Sequence, residues 1–222
     1  MRRSKRNQQN SRRVNQHVRA GRNHENKRDA KTALRVSKRG NRCGRGAEAF
    51  NAPEIWHEPT GRQTTRYVVH SPGDGFVHPV STGEVAARLA ELPDELTDGL
   101  EVVQFSRMTR KRALFPCYGM QWGAAIYLYP IEESLEEAYV RPPTPQQRIE
   151  TEMYGGIWTP DGNLWRLSWT EASIKDYYLN NILIHELGHH NDHRNTNFDA
   201  RERFANWFAI EYGYRASRNL CD

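Results

Sequence analysis

Cysteine is scarce in this chain, with only Cys43, Cys117 and Cys221 in 222 residues, far apart, odd in number and without a CxxC pair. That excludes a disulfide framework and a cysteine zinc ribbon, and it fits a reducing compartment such as the cytoplasm. Cys117 alone reads as a small apolar filler rather than a nucleophile. Long hydrophobic runs are missing as well. No stretch approaches the ~20 apolar residues that span a bilayer, and nothing near the start resembles the apolar core of a secretory signal. The expectation is a soluble intracellular protein with no membrane partner, its oligomeric state left open.

Acidic and aromatic side chains are nearly absent from one part of the chain. Residues 1–46 hold 16 Lys and Arg against 2 acidic residues and no aromatic, whereas residues 47–222 hold 16 against 25. The net charge of +5 thus conceals a surplus of 14 followed by a deficit of 9. With only scattered alanines and Val14, Val18, Leu34 and Val36 to bury, residues 1–46 cannot offset the entropy of ordering, and they read as a disordered basic tail. Three roles stay open for it. It can neutralise phosphates on nucleic acid, nonspecifically, since no ring is available to stack on bases; it can be a solvated tail; or it can be an organelle address.

From residue 47 the composition becomes globular. Strands are expected over 64–70, 101–108 and 124–131, and a helix follows the Ser81/Glu84 capping box, with Val85, Leu89 and Leu92 inward and Pro93 at its end. Arg107, Arg110, Lys111 and Arg112 read as a solvated loop, and Glu132, Glu133, Glu136 and Glu137 as the charged face of a short helix. Thr144 and Pro145 start another helix, closed by Gly155. A hairpin of 157–159 and 163–169 turns at Pro160, Asp161 and Gly162, and Thr170 caps a long helix. This order suggests an α+β domain over residues 47–222, with a small mixed or antiparallel sheet packed on the long helix.

That long helix carries the chemistry. Residues 180–193 read NNILIHELGHHNDH and contain His185, Glu186 and His189 as HExxH. Four residues apart on a helix, two imidazoles share a face and can reach one ion, and Glu186 lies beside it, where a carboxylate can take a proton from a water acidified by zinc. The helix turns polar at His190, Asn191 and Asp192 and is expected to end there. A catalytic zinc takes three protein ligands, so a third is needed. His193 stands ~12 Å along a straight helix from His185, too far for both rings to meet at one ion. Glu202 is the better candidate, with Asp199, His193 and Glu211 in reserve. It lies in the segment FDARERFANWFAIEYGY, whose apolar face is Phe204, Phe208 and Tyr212 with Trp207 and Ile210. Asp199 and Glu202 also have the spacing of a capping box, so Glu202 either ligates or ties off its own helix.

HExxH followed by a helix carrying ExxxN, here Glu202 and Asn206, resembles the gluzincin metallopeptidases, and ERFANWFA is more particularly similar to the small regulatory metallopeptidases related to ImmA and IrrE. The resemblance covers about residues 180–214. It implies a zincin-like domain in which His185, His189 and Glu202 hold zinc and Asn206 accepts from a histidine ring nitrogen. Asn206 is neutral where Asp is usual, and the thirteen-residue interval from His189 to Glu202 is short for that group. The activity implied is zinc-dependent hydrolysis of peptide or protein substrates, with Glu186 as general base that later returns the proton to the leaving amine. The resemblance also implies an edge strand that pairs with extended substrate. Residues 163–169 are the candidate, with Trp158, Trp165 and Trp169 lining a groove or filling the core, and with Tyr212 or Tyr214 as oxyanion stabiliser. The reading from a different class is a nucleic-acid-associated or regulatory binding protein, in which zinc only fastens two helices and the basic tail carries the interaction.

Overall fold

The computed structural model describes residues 52–114 and 117–218. The basic segment 1–46, Cys43 and Cys221 lie outside them. The fold is mixed α+β. Strands β1 (Arg66–Val69), β3 (Val102–Phe105), β4 (Gly119–Trp122) and β5 (Ala125–Leu128) form a four-stranded sheet in the order β1-β3-β5-β4. The first three run parallel and β4 returns antiparallel to β5, with Gly119 opposite Leu128. β2 (Phe76–Val77) pairs with β6 (Ile131–Glu132), so the apolar run 124–131 is divided at Pro130. Gly123, at φ +60°, makes the turn between β4 and β5.

Period-two alternation assigns the two faces of this sheet. Val103, Phe105, Ile126 and Leu128 point into the main core, where they meet helix α1 (Thr82–Ala90) through Val85 and Leu89 and the long helix through Ile182, Leu183 and Ile184. Ser81 and Glu84 form the expected capping box on α1. After it come the single turn α2 (Asp94–Thr97) and helix α3 (Arg110–Leu114). On the other face, Val102, Ala125, Tyr127 and Tyr129 form a second cluster with Val68, Cys117, Met120 and Trp122 packed against it, and residues 56–61 lie alongside. Trp56 packs edge-on against Trp122, and His57 stacks on Tyr127. Arg66 Nη2 donates to His57 Nδ1 at 3.0 Å, so the ring's Nε2–H faces Gln104 Oε1 at 2.7 Å. Glu101 accepts from the backbone N–H groups of Thr60 and Gly61.

Two expectations from charge alone are corrected here. The run 107–112 is a solvated loop only in part: Arg107 is exposed ahead of α3, but Arg112 sits in α3, buried, over the ring of Tyr129 and bonded to Glu54 at 3.0 Å. The acidic run is not a helix either, since Glu136 starts strand β7 (Glu136–Tyr139) and Glu137 is buried, accepting from the hydroxyls of Tyr118 and Tyr139. In both places a charged side chain found a specific partner, which a count of charges cannot register.

Helix α4 (Pro145–Glu152) opens on a Thr144/Gln147 capping box. β8 (Ile157–Asp161) and β9 (Leu164–Ser168) then form the hairpin, and β7 pairs on the far side of β9. β9 is therefore the centre of its three-stranded sheet, not an edge, and the placement of a substrate-pairing edge at 163–169 is wrong. Trp158 and Trp169 are buried in the core. Helix α5 (Glu171–Tyr177), capped by Thr170, continues through a π-helical turn (Tyr178–Ile182) into α6 (Leu183–Asn191). Helix α7 (Phe198–Phe208) follows and also ends in a π-helical turn (Ala209–Arg215). Among the described residues no helix is long and apolar enough to cross a membrane.

Candidate metal centre

The segment before the histidines is apolar on nearly every side, and Ile182, Leu183, Ile184 and Leu187 are all buried. It presses α6 against β4 and β5. The polar residues at its end then stop it by bonding outward. Asn191 Nδ2 donates to the carbonyls of Leu187 and Leu96, and His190 Nε2 donates to the carbonyl of Asp98.

The turn into α7 is built around Asp192, whose side chain is fully buried. Its Oδ1 accepts from the backbone N–H groups of Arg194 and Asn195 and from Asn195 Nδ2. Its Oδ2 lies 3.9 Å from Arg201 Nε, and Arg201 Nη2 donates to the His189 carbonyl at 3.3 Å. This hub is how so short a connection reverses the chain. α7 then begins on Asn197, whose side chain accepts from Ala200 N at 2.9 Å. Asp199 is therefore not the cap, and the Asp199/Glu202 capping box does not form, because the helix starts earlier than that spacing assumed. Glu202 is left to point elsewhere.

It points at the histidines. The helices touch at Gly188, where a Cβ would stand 2.9 Å from the Cα of Ala205 and 2.9 Å from the Cβ of Phe208. Only a bare α-carbon permits that approach. Across it, His189 Nε2 lies 3.3 Å from Glu202 Oε1, His185 Nε2 lies 3.7 Å from Glu202 Oε2, and the two Nε2 atoms are 3.1 Å apart. The rings stand nearly perpendicular, at 82°. One ligand atom from each residue lies within 4.8 Å of the others. A tetrahedral zinc with ligands at ~2.0–2.1 Å has ligand-to-ligand edges of roughly 3.4 Å, close to these separations, which reach one Glu202 oxygen from each ring.

The electrostatics favour a cation. Burial works to lower the pKa of His189, but the hydrogen bond to Glu202 and the negative charges of Glu186 and Glu202 outweigh it, so the ring is held above its ordinary value. Glu186 itself is buried on the same helix. Its Cγ and Oε1 lie where a Cβ on Gly119 of β4 would be, at 2.8 Å. The strand beside the centre is thus β4, and among the described residues it pairs only with β5, leaving an open edge. The expected order of elements had no strand there. The available signal was Gly123, a turn residue between two short stretches rich in apolar and aromatic side chains.

Other candidates are placed elsewhere. His193 and Asp199 are exposed, and Glu211 pairs with Arg215 at 3.3 Å. His189 Nδ1 is buried without a hydrogen-bond partner among the described residues. Tyr214 packs on Tyr154 and Tyr212 on Phe208, giving neither a ring contact with the centre. Cys117 is not simply an apolar filler, since Arg112 Nη1 donates to its Sγ at 3.3 Å.

No family model matches the chain, and no curated protein and no solved structure matches it either.

Proposed function

We propose that this protein is a zinc-dependent metallopeptidase, with His185, His189 and Glu202 as metal ligands and Glu186 as general base. The observation that carries the reading is the convergence of two imidazole nitrogens and one carboxylate, from two helices, at separations of 3.1, 3.3 and 3.7 Å. Two histidines and a glutamate with a fourth position left for water are a donor set of catalytic rather than structural zinc. When bound, zinc supplies Lewis acidity, polarising a carbonyl and bringing the pKa of a water to roughly 7. The chain's own residues do the rest. Glu186, on the same helix as both histidines, accepts the proton of the attacking water and returns it to the departing amine. The open edge of β4, running beside Glu186, offers backbone donors and acceptors to an extended peptide, which would pair as an added strand. Substrate is then recognised largely through its main chain.

The test is turnover of a mixed-sequence fluorogenic peptide library by the zinc-loaded full chain beside E186Q. Cleavage abolished in E186Q, with zinc retained at one per chain, supports the reading. Equal cleavage by both proteins overturns it. The surplus of basic residues in 1–46 favours a second reading, a nucleic-acid-associated protein with structural zinc, and that reading gains if neither protein cleaves and deletion of 1–46 abolishes binding to duplex DNA.

A further inference from the structure

We propose that Gly119 is a positioning residue for Glu186: by carrying no Cβ, it lets the edge strand lie against the carboxylate side chain and sets where that carboxylate stands. The inference rests on the reading of Glu186 as general base. A Cβ at position 119 would be 2.8 Å from Glu186 Cγ, 2.8 Å from Glu186 Oε1 and 2.8 Å from Ile182 Cγ2. Glu186 and Ile182 are four residues apart, so they form one wall of the helix, and the glycine is pressed against both.

The partners differ in their freedom to yield. Ile182, the last residue of the π-helical turn, is buried in the main core. The strand is held in place on its inner side, because Gly119 at the start of edge strand β4 is paired with Leu128 of the fully buried β5. The Glu186 side chain has more rotatable bonds and ends in the group whose position matters. Ordinary contact begins at 3.4 Å, so an added methyl would drive the carboxylate away by at least about 0.6 Å. Misplacement on the order of 1 Å costs a catalytic group as much as 100-fold in rate. The backbone groups of β4 are unchanged by a methyl, so the edge that would receive a peptide is kept.

The test compares wild type, G119A, E186Q and the double variant, all zinc-loaded, on a fluorogenic peptide that the wild type cleaves. G119A should retain one zinc per chain and a KM close to wild type while kcat falls about 10- to 100-fold. In the E186Q background, G119A should change the residual rate no further. A second readout needs no activity. In the metal-free full chain G119A lowers the Tm, and truncating Glu186 in G119A/E186A restores part of the loss. Wild-type kcat in G119A, an equal rate loss in both backgrounds, or a Tm loss indifferent to truncation at 186 would each overturn the inference. If G119A does not fold, recovery of a folded chain in G119A/E186A supports it and equal failure sinks it. If wild type cleaves nothing, the general-base reading falls, while the Tm comparison still decides whether Gly119 places the Glu186 side chain.

Discussion

Gly188 and Ala205 hold the backbones of α6 and α7 so close that a Cβ on the glycine would stand 2.9 Å from the alanine Cα. That contact lies one residue before His189 and three after Glu202, so the helix crossing and the metal group are one construction. Moving the helices apart moves Glu202 away from the two histidines.

Substituting Gly188 by alanine should therefore damage both stability and metal binding. Forcing a methyl into a packed contact costs about 1–3 kcal/mol. Denaturant unfolding of the metal-free chain should show a loss of that order, and zinc titration should show weaker binding than wild type. A variant that loses stability but binds zinc as tightly as wild type would separate the crossing from the site.

Glu202→Ala tests the third ligand directly. Purified wild type is expected to carry one zinc per chain, and the variant to lose it, with affinity reduced by more than the roughly 10- to 100-fold cost of losing an outer partner. Since Glu202 does not cap its helix but does contact the His189 ring, the metal-free variant should lose only about 1 kcal/mol against metal-free wild type in denaturant unfolding. Elemental analysis beside a denaturation curve reads both outcomes.

The start of α7 distinguishes two residues that composition treats alike. Asn197→Ala removes the side chain that accepts from Ala200 N and should cost about 1 kcal/mol. Asp199→Ala removes an exposed side chain that makes no cap, so its effect should stay within about 0.5 kcal/mol. The reverse ranking in urea unfolding would mean that the helix begins at Asp199.

Acid should weaken the capping box of α1. The hydrogen bond from Lys175, with those from the backbone and hydroxyl of Ser81, holds the Glu84 carboxyl down to about 2, from an ordinary 4.5. A lowered folded-state value means that the contribution is present above pH ~4.5 and is lost as pH falls towards 2. The carboxylate is a third exposed, so solvent screening keeps the effect to roughly 1 kcal/mol. Stability measured from pH 5 to 2 should fall less steeply in E84Q than in wild type, and parallel curves would remove Glu84 from the acid transition.

Much of the site was legible because it is local. The four-residue spacing of His185 and His189 follows from helix geometry alone, and the polar residues after His189 marked the helix end. Capping at Ser81, Thr144 and Thr170 was readable for the same reason, since a cap is a bond across three residues. The cap of α7 was misassigned within this local range, as Asn197 and Asp199 are both competent acceptors two residues apart. The burial of Arg112 and Glu137 was not legible, because Glu54 and Tyr118 reach them from other parts of the chain. The edge beside the centre was also missed. Two sheets with similar hairpins compete for that role, and only their packing shows that β9 is interior while β4 lies against Glu186.

By itself, then, the sequence determined the paired imidazoles and the apolar helix that buries them. These depend on the 3.6-residue period and on residue chemistry, which a linear string carries, while Glu202 stood out among nearby acids through the resemblance of its ExxxN segment. Tertiary structure decided that Glu202 faces the rings rather than its own helix end, and that a glycine on an antiparallel edge strand makes room for Glu186. Both are contacts between segments many residues apart, and their geometry comes from helix crossing and strand pairing, which no local pattern encodes.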